Sequence, residues 1–589
     1  MLVFDDSEMD RIVNLPRRDW TDARKAEAAR LLTGWLKQPN GTMALKPIQA
    51  QTLVEAHDAG GLVGELAAGS GKTLITFLLP VVLKSTRTLL LVPAKLREKT
   101  FDDWADLFRH WKLPPLLGLE DTGPAPTGTI IRVQSYESLS HINYASFVDE
   151  YNPDLIIADE AHFLSRLKAG RSKRVFRFLK NARKTNQKVI FIPLSGTMRR
   201  KSFRDCAHLY EAALGKNSPL PVEYPSLEQW CFALDEGVKE ETRYKPGALL
   251  RLANEDEKST GLDGIRRAVR RRLVDSNGVV ATTELSCSLP LTLQVRPITV
   301  PNEIRSAMLK LRTNYELPTG DTVDAGIAFW QHAREIASGF AYRWDPPAPK
   351  DWLEARRAWN SFVRARLDHP GKLRLDTPLQ VWNAVESGQF GRIPEWEAWR
   401  DTRHTFEPKT VPYWISDYLV RDAEAWAKET GGIVWVSHTA AYTGEDDDDV
   451  IGNTFRDIPY FGAGDERIKS YKGPCAASIR SHGTGKNLTQ WSKALIMAFP
   501  SSGSTLEQLL ARHHRERQQA DLVEFYFYLH SKEMLSAVQT AIGDAQFQEA
   551  TSGSPQRILS ASLLDASGHT LRMDSLEAAT ATSNDPMWV

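Results

Sequence analysis

The sequence predicts an α/β protein made of two parallel-sheet lobes in tandem, with a mainly helical insertion associated with the second lobe. Three observations predict it: strand-and-helix alternation from about residue 40 to 215, its return from about 430 to 530, and a tryptophan-rich, proline-broken stretch between them. A parallel sheet covered on both faces buries every strand residue, so its strands read as short apolar runs rather than as alternating patterns. In the first lobe those runs are Leu89–Val92, Ile130–Val133, Leu155–Ala158 and Val189–Ile192; in the second they are Ile433–Val436, Ala494–Met497 and Val523–Phe527.

At roughly 150 residues per unit, 589 residues allow three or four units. The expected division is an N-terminal extension (1–40), a first lobe (41–215), a helical linker or insert (216–290), a second lobe (291–530) with its insertion at about 340–425, and a C-terminal extension (531–589). The linker carries an arginine-rich run, Ile265–Arg272. The middle of the chain holds Trp330, Trp344, Trp352, Trp359, Trp382, Trp396, Trp399 and Trp414, with helix breaks at Pro346–Pro347, Pro370–Gly371 and Pro378. These tryptophans are spread too evenly to form one stripe and read as the core of a small helical unit; stacking on unpaired bases is the alternative. Glu445–Asp449 lacks the spaced ligands and central glycine of a calcium loop and reads as a solvated turn.

Hydrophobic residues make up 42% of the chain and charged residues 25%, an ordinary globular balance. Lys plus Arg equals Asp plus Glu at 74 each, so any attraction to nucleic acid must come from local clusters. One candidate cluster is Arg166, Lys168, Arg171, Lys173, Arg174 and Arg177. The cysteines Cys206, Cys231, Cys287 and Cys475 form no closely spaced pair, which argues against a zinc ribbon or a disulfide framework and fits a reducing cytoplasm. Neither a signal-like N-terminus nor a run of about 18 apolar residues is present, so the expectation is a protein neither exported nor embedded in a membrane.

The segment Ala67–Thr73 follows an apolar run and precedes a helical one, the setting of a phosphate-binding loop. Ala68, Gly69, Ser70 and Gly71 let backbone N–H groups converge at a helix N-terminus, Lys72 adds a point charge for the outer phosphates, and Thr73 offers a hydroxyl to Mg²⁺. Leu66 stands where the strict pattern has its first glycine. Further on, the strand Leu155–Ala158 delivers Asp159 and Glu160 at its C-terminal end, where ligands sit in open α/β sheets. Asp159 suits the metal, Glu160 the activation of an attacking water, and His162 a coupling role between lobes.

Asp159–His162 read together with this loop resembles superfamily 2 helicases and translocases, and the remaining motifs are most similar to their Swi/Snf-type branch. That resemblance implies two RecA-like lobes that close on ATP with Mg²⁺. Leu45–Gln49 is similar to the adenine-reading segment, which makes Gln49 the candidate for the base. Leu91–Leu96 with Trp104, and Val133–Leu139, are similar to the first lobe's DNA-facing segments, which points to Lys95, Ser135 and Tyr136. Leu194–Met198 resembles the motif in which Ser195 and Thr197 relay nucleotide state. Gln508–Gln518 is similar to the last motif, with Ala511 in its glycine position; it implies a coupling role for Gln508 and makes Arg512 and Arg515 the finger candidates. Ser481–Thr489 is similar to a segment touching nucleotide and backbone phosphate, which points to Gly483 and Asn487. The implied activity is that of an ATP-dependent DNA helicase or duplex-DNA translocase, on duplex or forked DNA, in replication, recombination or repair. An RNA helicase, or an ATP-gated clamp that recruits partners without unwinding, are the alternatives. Compact proteins of this kind also occur in tailed phages, and a cytoplasmic setting in a bacterium or phage-infected cell is the expectation.

Overall fold

The computed structural model describes residues 6–588 apart from residues 68, 119–127, 200–201, 237, 283–284, 286, 321–322, 324–326, 369–374, 376–377, 408–409, 438–453, 517 and 582. The acidic run Glu445–Asp449, the break at Pro370–Gly371 and Ala68 thus lie outside the described residues.

Among the described residues, two seven-stranded sheets, parallel throughout, form the frame. The first contains β1 (Val63–Glu65), β2 (Arg87–Val92), β3 (Leu116–Leu117), β4 (Ile130–Ser135), β5 (Leu155–Asp159), β6 (Ile190–Leu194) and β7 (Val279–Ala281), in the order β3-β4-β2-β5-β6-β1-β7. The second contains β8 (Leu291–Arg296), β11 (Ile433–Val436), β12 (Tyr460–Phe461), β13 (Cys475–Ser478), β14 (Lys493–Ile496), β15 (Val523–Tyr528) and β16 (Ser562–Leu564), in the order β12-β13-β11-β14-β15-β8-β16. An antiparallel pair, β9 (Phe340–Trp344) and β10 (Thr410–Trp414), stands apart. These are the tandem RecA-like α/β lobes that the alternating runs and the motifs imply.

The apolar runs behave as two-sided strands must. Leu89, Leu91, Ile156 and Ala158 enter the core on one face of the first sheet, while Leu90, Val92, Leu155 and Ile157 enter the core on the other. Each leucine so buried contributes about 1.5–3 kcal/mol, and moving any strand by one residue would exchange the two sets.

β7 lies within residues 216–290, read from sequence as a linker, and β16 within 531–589, read as an extension. Three residues each, they are too short to carry a periodicity of their own. The helix Lys532–Ser552 leaves the second sheet and inserts Phe547 into the first lobe's core, edge-on to Phe203 and under the guanidinium of Arg266. The insertion is mounted on the β9–β10 stem. Helices Lys350–Asp368, Pro378–Glu386 and Pro394–Thr402 enclose a small core of Trp359, Val363, Val381 and Val385, with Trp382, Trp396 and Trp399 packed around it. Trp352 is buried between Trp344 and Trp399. The tryptophans therefore act chiefly as core, and Trp330, outside the stem, is exposed.

Candidate active site

β5, β6 and β1 are neighbours in the first sheet, and each ends at the same edge. Their following loops must converge there, which is why residues more than a hundred positions apart meet. β1 leads into the loop 66–71 and the helix Lys72–Val82. Gly69 and Gly71 have φ of +94° and +80°, values that a side chain adopts only with strain. A Cβ at Gly71 would also stand 2.1 Å from Gln49 Nε2. The Lys72 ammonium donates to Leu66 O at 2.8 Å, and the Ser70 hydroxyl to Ala67 O at 2.8 Å.

β5 ends in Asp159, and Glu160 turns away from it in left-handed backbone, φ +54°. For a non-glycine residue this costs on the order of 1–3 kcal/mol, a cost that concentrates at functional sites. The Glu160 N–H donates to Asp159 Oδ1 at 3.1 Å, and Glu160 Oε2 accepts from the Ser195 hydroxyl at 3.2 Å and lies 3.3 Å from His162 Nδ1. His162 Nδ1 is also 3.1 Å from Ser195 Oγ and 3.3 Å from Thr197 Oγ1. Glu160, His162, Ser195 and Thr197 thus form one cluster, tied to β1 by the Ser195 N–H to Gly64 O bond of 2.9 Å.

Asp159 and Glu160 are half-buried, and their open side is the cavity described below. Burial, and then the charge of Glu160, push Asp159 above the usual carboxylate range despite Lys72. Burial also works against Glu160, but Lys72 and the bonds from His162 and Ser195 outweigh it and hold Glu160 below its ordinary value. Glu160 is therefore the ready carboxylate, and Asp159 the one whose charge a cation would relieve. With the Thr73 hydroxyl lining the same cavity, this hard-oxygen donor set fits Mg²⁺.

Beneath the loop, Glu65 at the end of β1 pairs with Arg199, and its Oε1 accepts from the Tyr210 hydroxyl at 2.6 Å. All three side chains are buried. Burial pushes the Glu65 carboxyl up while Arg199 and Tyr210 draw it back, and the same contact favours the charge on Arg199.

The second sheet supplies the opposite wall. The helix Gly503–His513 follows β14 and carries Gln508 and Arg512, with Arg515 just past its end. Arg512 donates through Nε to Gln508 O (2.9 Å) and through Nη1 to Lys486 O (2.7 Å). Burial, then Arg515 and Arg557, press its pKa down, while Glu160 across the cleft pulls the other way. On the same helix His513 Nδ1 donates to Trp491 O (3.0 Å), and its Nε2 accepts from Trp435 Nε1 (3.1 Å), an arrangement that only the neutral ring satisfies.

Between the lobes lies a cavity of about 480 Å³, into which Lys72, Thr73, Asp159 and Glu160 face from one side and Gln508, Arg512 and Arg515 from the other. Among the described residues its six cationic side chains, Lys72, Lys95, Lys99, Arg480, Arg512 and Arg515, outnumber the three carboxylates Asp103, Asp159 and Glu160. Volume and charge suit a polyphosphate. The lobes touch closely around it: Lys46 Nζ meets Glu516 Oε1 at 2.5 Å, and a Cβ at Gly485 would stand 2.3 Å from Leu96 Cδ2.

Gly69, Gly71, His162 and Lys95 also line this cavity; Lys95, expected on the nucleic-acid side, faces the nucleotide side. Gln49 does not line it: its carboxamide accepts from Lys46 N–H (2.8 Å) and donates to Gly71 O (3.3 Å), bracing the loop from behind. Ser135 and Tyr136, expected at the nucleic-acid surface, are buried instead. Ser135 caps the helix Tyr136–Ser140, and the Tyr136 hydroxyl donates to Asp159 O at 2.8 Å, so both position the site from within. Gly483 is buried against Ile479 O, whereas Asn487 is exposed. Of the basic cluster, Arg171 and Arg174 donate to backbone carbonyls and Arg177 pairs with Asp149 at 2.6 Å, so half of it serves the first lobe's own structure. Motif reading missed the Glu65–Arg199 pair, the Lys46–Glu516 bridge and Gln548, whose Nε2 donates to Gly196 O at 2.6 Å. No spacing in the sequence signals these contacts, which come from distant segments.

Residues 46–205 match the family model described as DEAD/DEAH box helicase. The match takes in the glycine loop, Asp159–His162 and Ser195–Thr197. No curated protein matches the chain.

Proposed function

We propose, with that helicase domain as the premise, that the chain is an ATP-dependent DNA helicase or double-stranded DNA translocase. One observation carries the reading: Lys72 and Glu160 from the first lobe share a single cavity with Arg512 and Arg515 from the second. Lys72 binds the outer phosphates, and Glu160, already ionised, takes a proton from the attacking water. Arg512 and Arg515 add positive charge where charge develops in the transition state, and because they belong to the other lobe, hydrolysis requires closure. Thr73 and Asp159 are the residues that would hold Mg²⁺, which when bound would supply charge neutralisation at the phosphates. Ser195 and His162 touch Glu160 directly and Thr197 bonds to both of them, so a change at the phosphate is felt in the segment leading away from β6. Asn487, which is exposed, faces the nucleic-acid track, whereas the buried Gly483 shapes that segment from within.

The test is ATP turnover by the full chain with forked, duplex and single-stranded DNA and with RNA, alongside strand displacement. Lys72→Ala and Glu160→Gln should each lower stimulated turnover by about a hundredfold or more with an unchanged thermal midpoint. Near-parental hydrolysis by either variant refutes the assignments, and stimulation by RNA alone refutes the choice of DNA.

A further inference from the structure

A second, far smaller chamber of about 20 Å³ shares Lys72, Glu160 and Gln508 with the large cavity and is completed by Thr197, Ser554 and Gln556. A space of this size takes about one water molecule, provided that two to four polar groups face it.

Two of these walls come from beyond the helix Lys532–Ser552. That helix stops at Gly553, φ +78°, where a Cβ would stand 2.2 Å from Arg270 Nε of the first lobe. The turn is then pinned on both sides. Gln548 holds Gly196 O, next to Thr197, and the Arg557 N–H donates to Glu507 Oε2 at 2.7 Å while its guanidinium pairs with the same carboxylate. Gln556 sits between these anchors, 1% exposed. Its N–H donates to Glu549 Oε2 at 2.8 Å and its Nε2 to Ser554 O at 2.9 Å, but its Oε1 has no hydrogen-bond partner among the described residues. A buried carbonyl oxygen left without a donor is costly, and this one belongs to a residue lining a water-sized space beside Glu160.

We propose that this chamber seats the attacking water, and that Gln556 Oε1, together with Gln508, holds it against Glu160. The inference rests on the reading above, in which Glu160 is the base. The water oxygen bonds to the terminal phosphorus as the bond from that phosphorus to the bridging oxygen breaks. ADP leaves with that electron pair. One water proton passes to Glu160, and the other points at Gln556 Oε1, which is not consumed. The C-terminal turn thereby joins both lobes in the chemical step.

Two variants separate hydrogen bonding from packing, because Gln556→Met removes the acceptor and the donation to Ser554 O together, whereas the buried side chain of Gln556→Glu, kept neutral beside Glu160 and Glu507, retains an O–H donor and a carbonyl acceptor. In the full chain with DNA, Gln556→Met should lower kcat on the order of tenfold to a hundredfold, with KM for ATP within about twofold, while Gln556→Glu stays within a few-fold of the parent. Affinity for ADP with fluoroaluminate, which mimics the in-line state, should fall in Gln556→Met by the same factor as kcat, and affinity for ADP alone should hold. Parental kcat in Gln556→Met, equal impairment of the two variants, or a parallel loss of ADP affinity overturns the proposal. Glu160→Gln is measured beside them. If it is inactive while Gln556→Met is not, this inference alone fails; if it hydrolyses ATP, or the parent does not, the wider reading falls too.

Discussion

Replacing Arg199 by Met removes the partner of a carboxylate that has no route to solvent. Glu65 is 3% exposed, and Tyr210 alone cannot balance its charge. The folded chain escapes by protonating Glu65, and that escape caps the loss. From an ordinary value of 4.5, neutralising the group at pH 7 costs about 3.4 kcal/mol, at about 1.36 kcal/mol per pH unit, within the range of about 3–5 kcal/mol for breaking a buried pair. The sign follows from the protons bound. Without Arg199 the folded-state pKa lies further above the unfolded one, so the folded chain holds an extra proton and loses stability as pH rises from the ordinary value toward the raised one. Because Glu65 is already raised in the parent, the deficit against the parent should lie below about 3.4 kcal/mol at pH 7 and shrink below about 1.4 kcal/mol at pH 5.5, and adding Glu65→Leu should recover most of it at pH 7. Urea unfolding of parent and variants at both pH values measures this. A loss under about 1 kcal/mol at pH 7, or one equally large at pH 5.5, refutes the reasoning.

Arg515→Ala should retain ATP binding, read by fluorescent-nucleotide titration, while losing hydrolysis by about a hundredfold; parallel loss of binding would make the residue structural. Gly485→Ala, which drives a methyl into Leu96 at left-handed backbone, should cost several-fold in DNA-stimulated turnover, and Leu96→Ala added to it should return a good part; an unaffected single variant would mean that the lobes need not approach so closely. Burial holds His513 at about 4, below its ordinary 6.5, so the neutral ring's contribution is complete above pH 6.5 and is lost as pH falls toward 4. That loss amounts to about 3 kcal/mol, measurable as acid-dependent unfolding that His513→Gln should flatten.

Strands buried on both faces were readable because each is a continuous apolar run, and the phosphate loop and Asp159–Glu160 because their chemistry sits in contiguous residues at strand ends. β12 and β16, two and three residues long, were not readable: nothing in so short a segment distinguishes strand from loop until its neighbour is known. Lys95 and Tyr136 show a second limit. The resemblance assigned them to the right segments but not to the right side of the wall, since side-chain direction depends on neighbours from elsewhere in the chain, as where Phe163 stacks on Tyr136. Gln548 and Gln556 carry no motif, and only the path of the helix Lys532–Ser552 brings them to the cleft.

That path also orders events in time. Phe547 fills a place among Phe203, Trp230 and Ile265, so the core of the first lobe stays open on the ribosome until a segment more than 250 residues further on has emerged. A piece ending near residue 290 would keep its seven-stranded sheet yet carry an uncovered apolar socket, and should associate or recruit chaperones until the helix bearing Phe547 is supplied, even as a separate peptide.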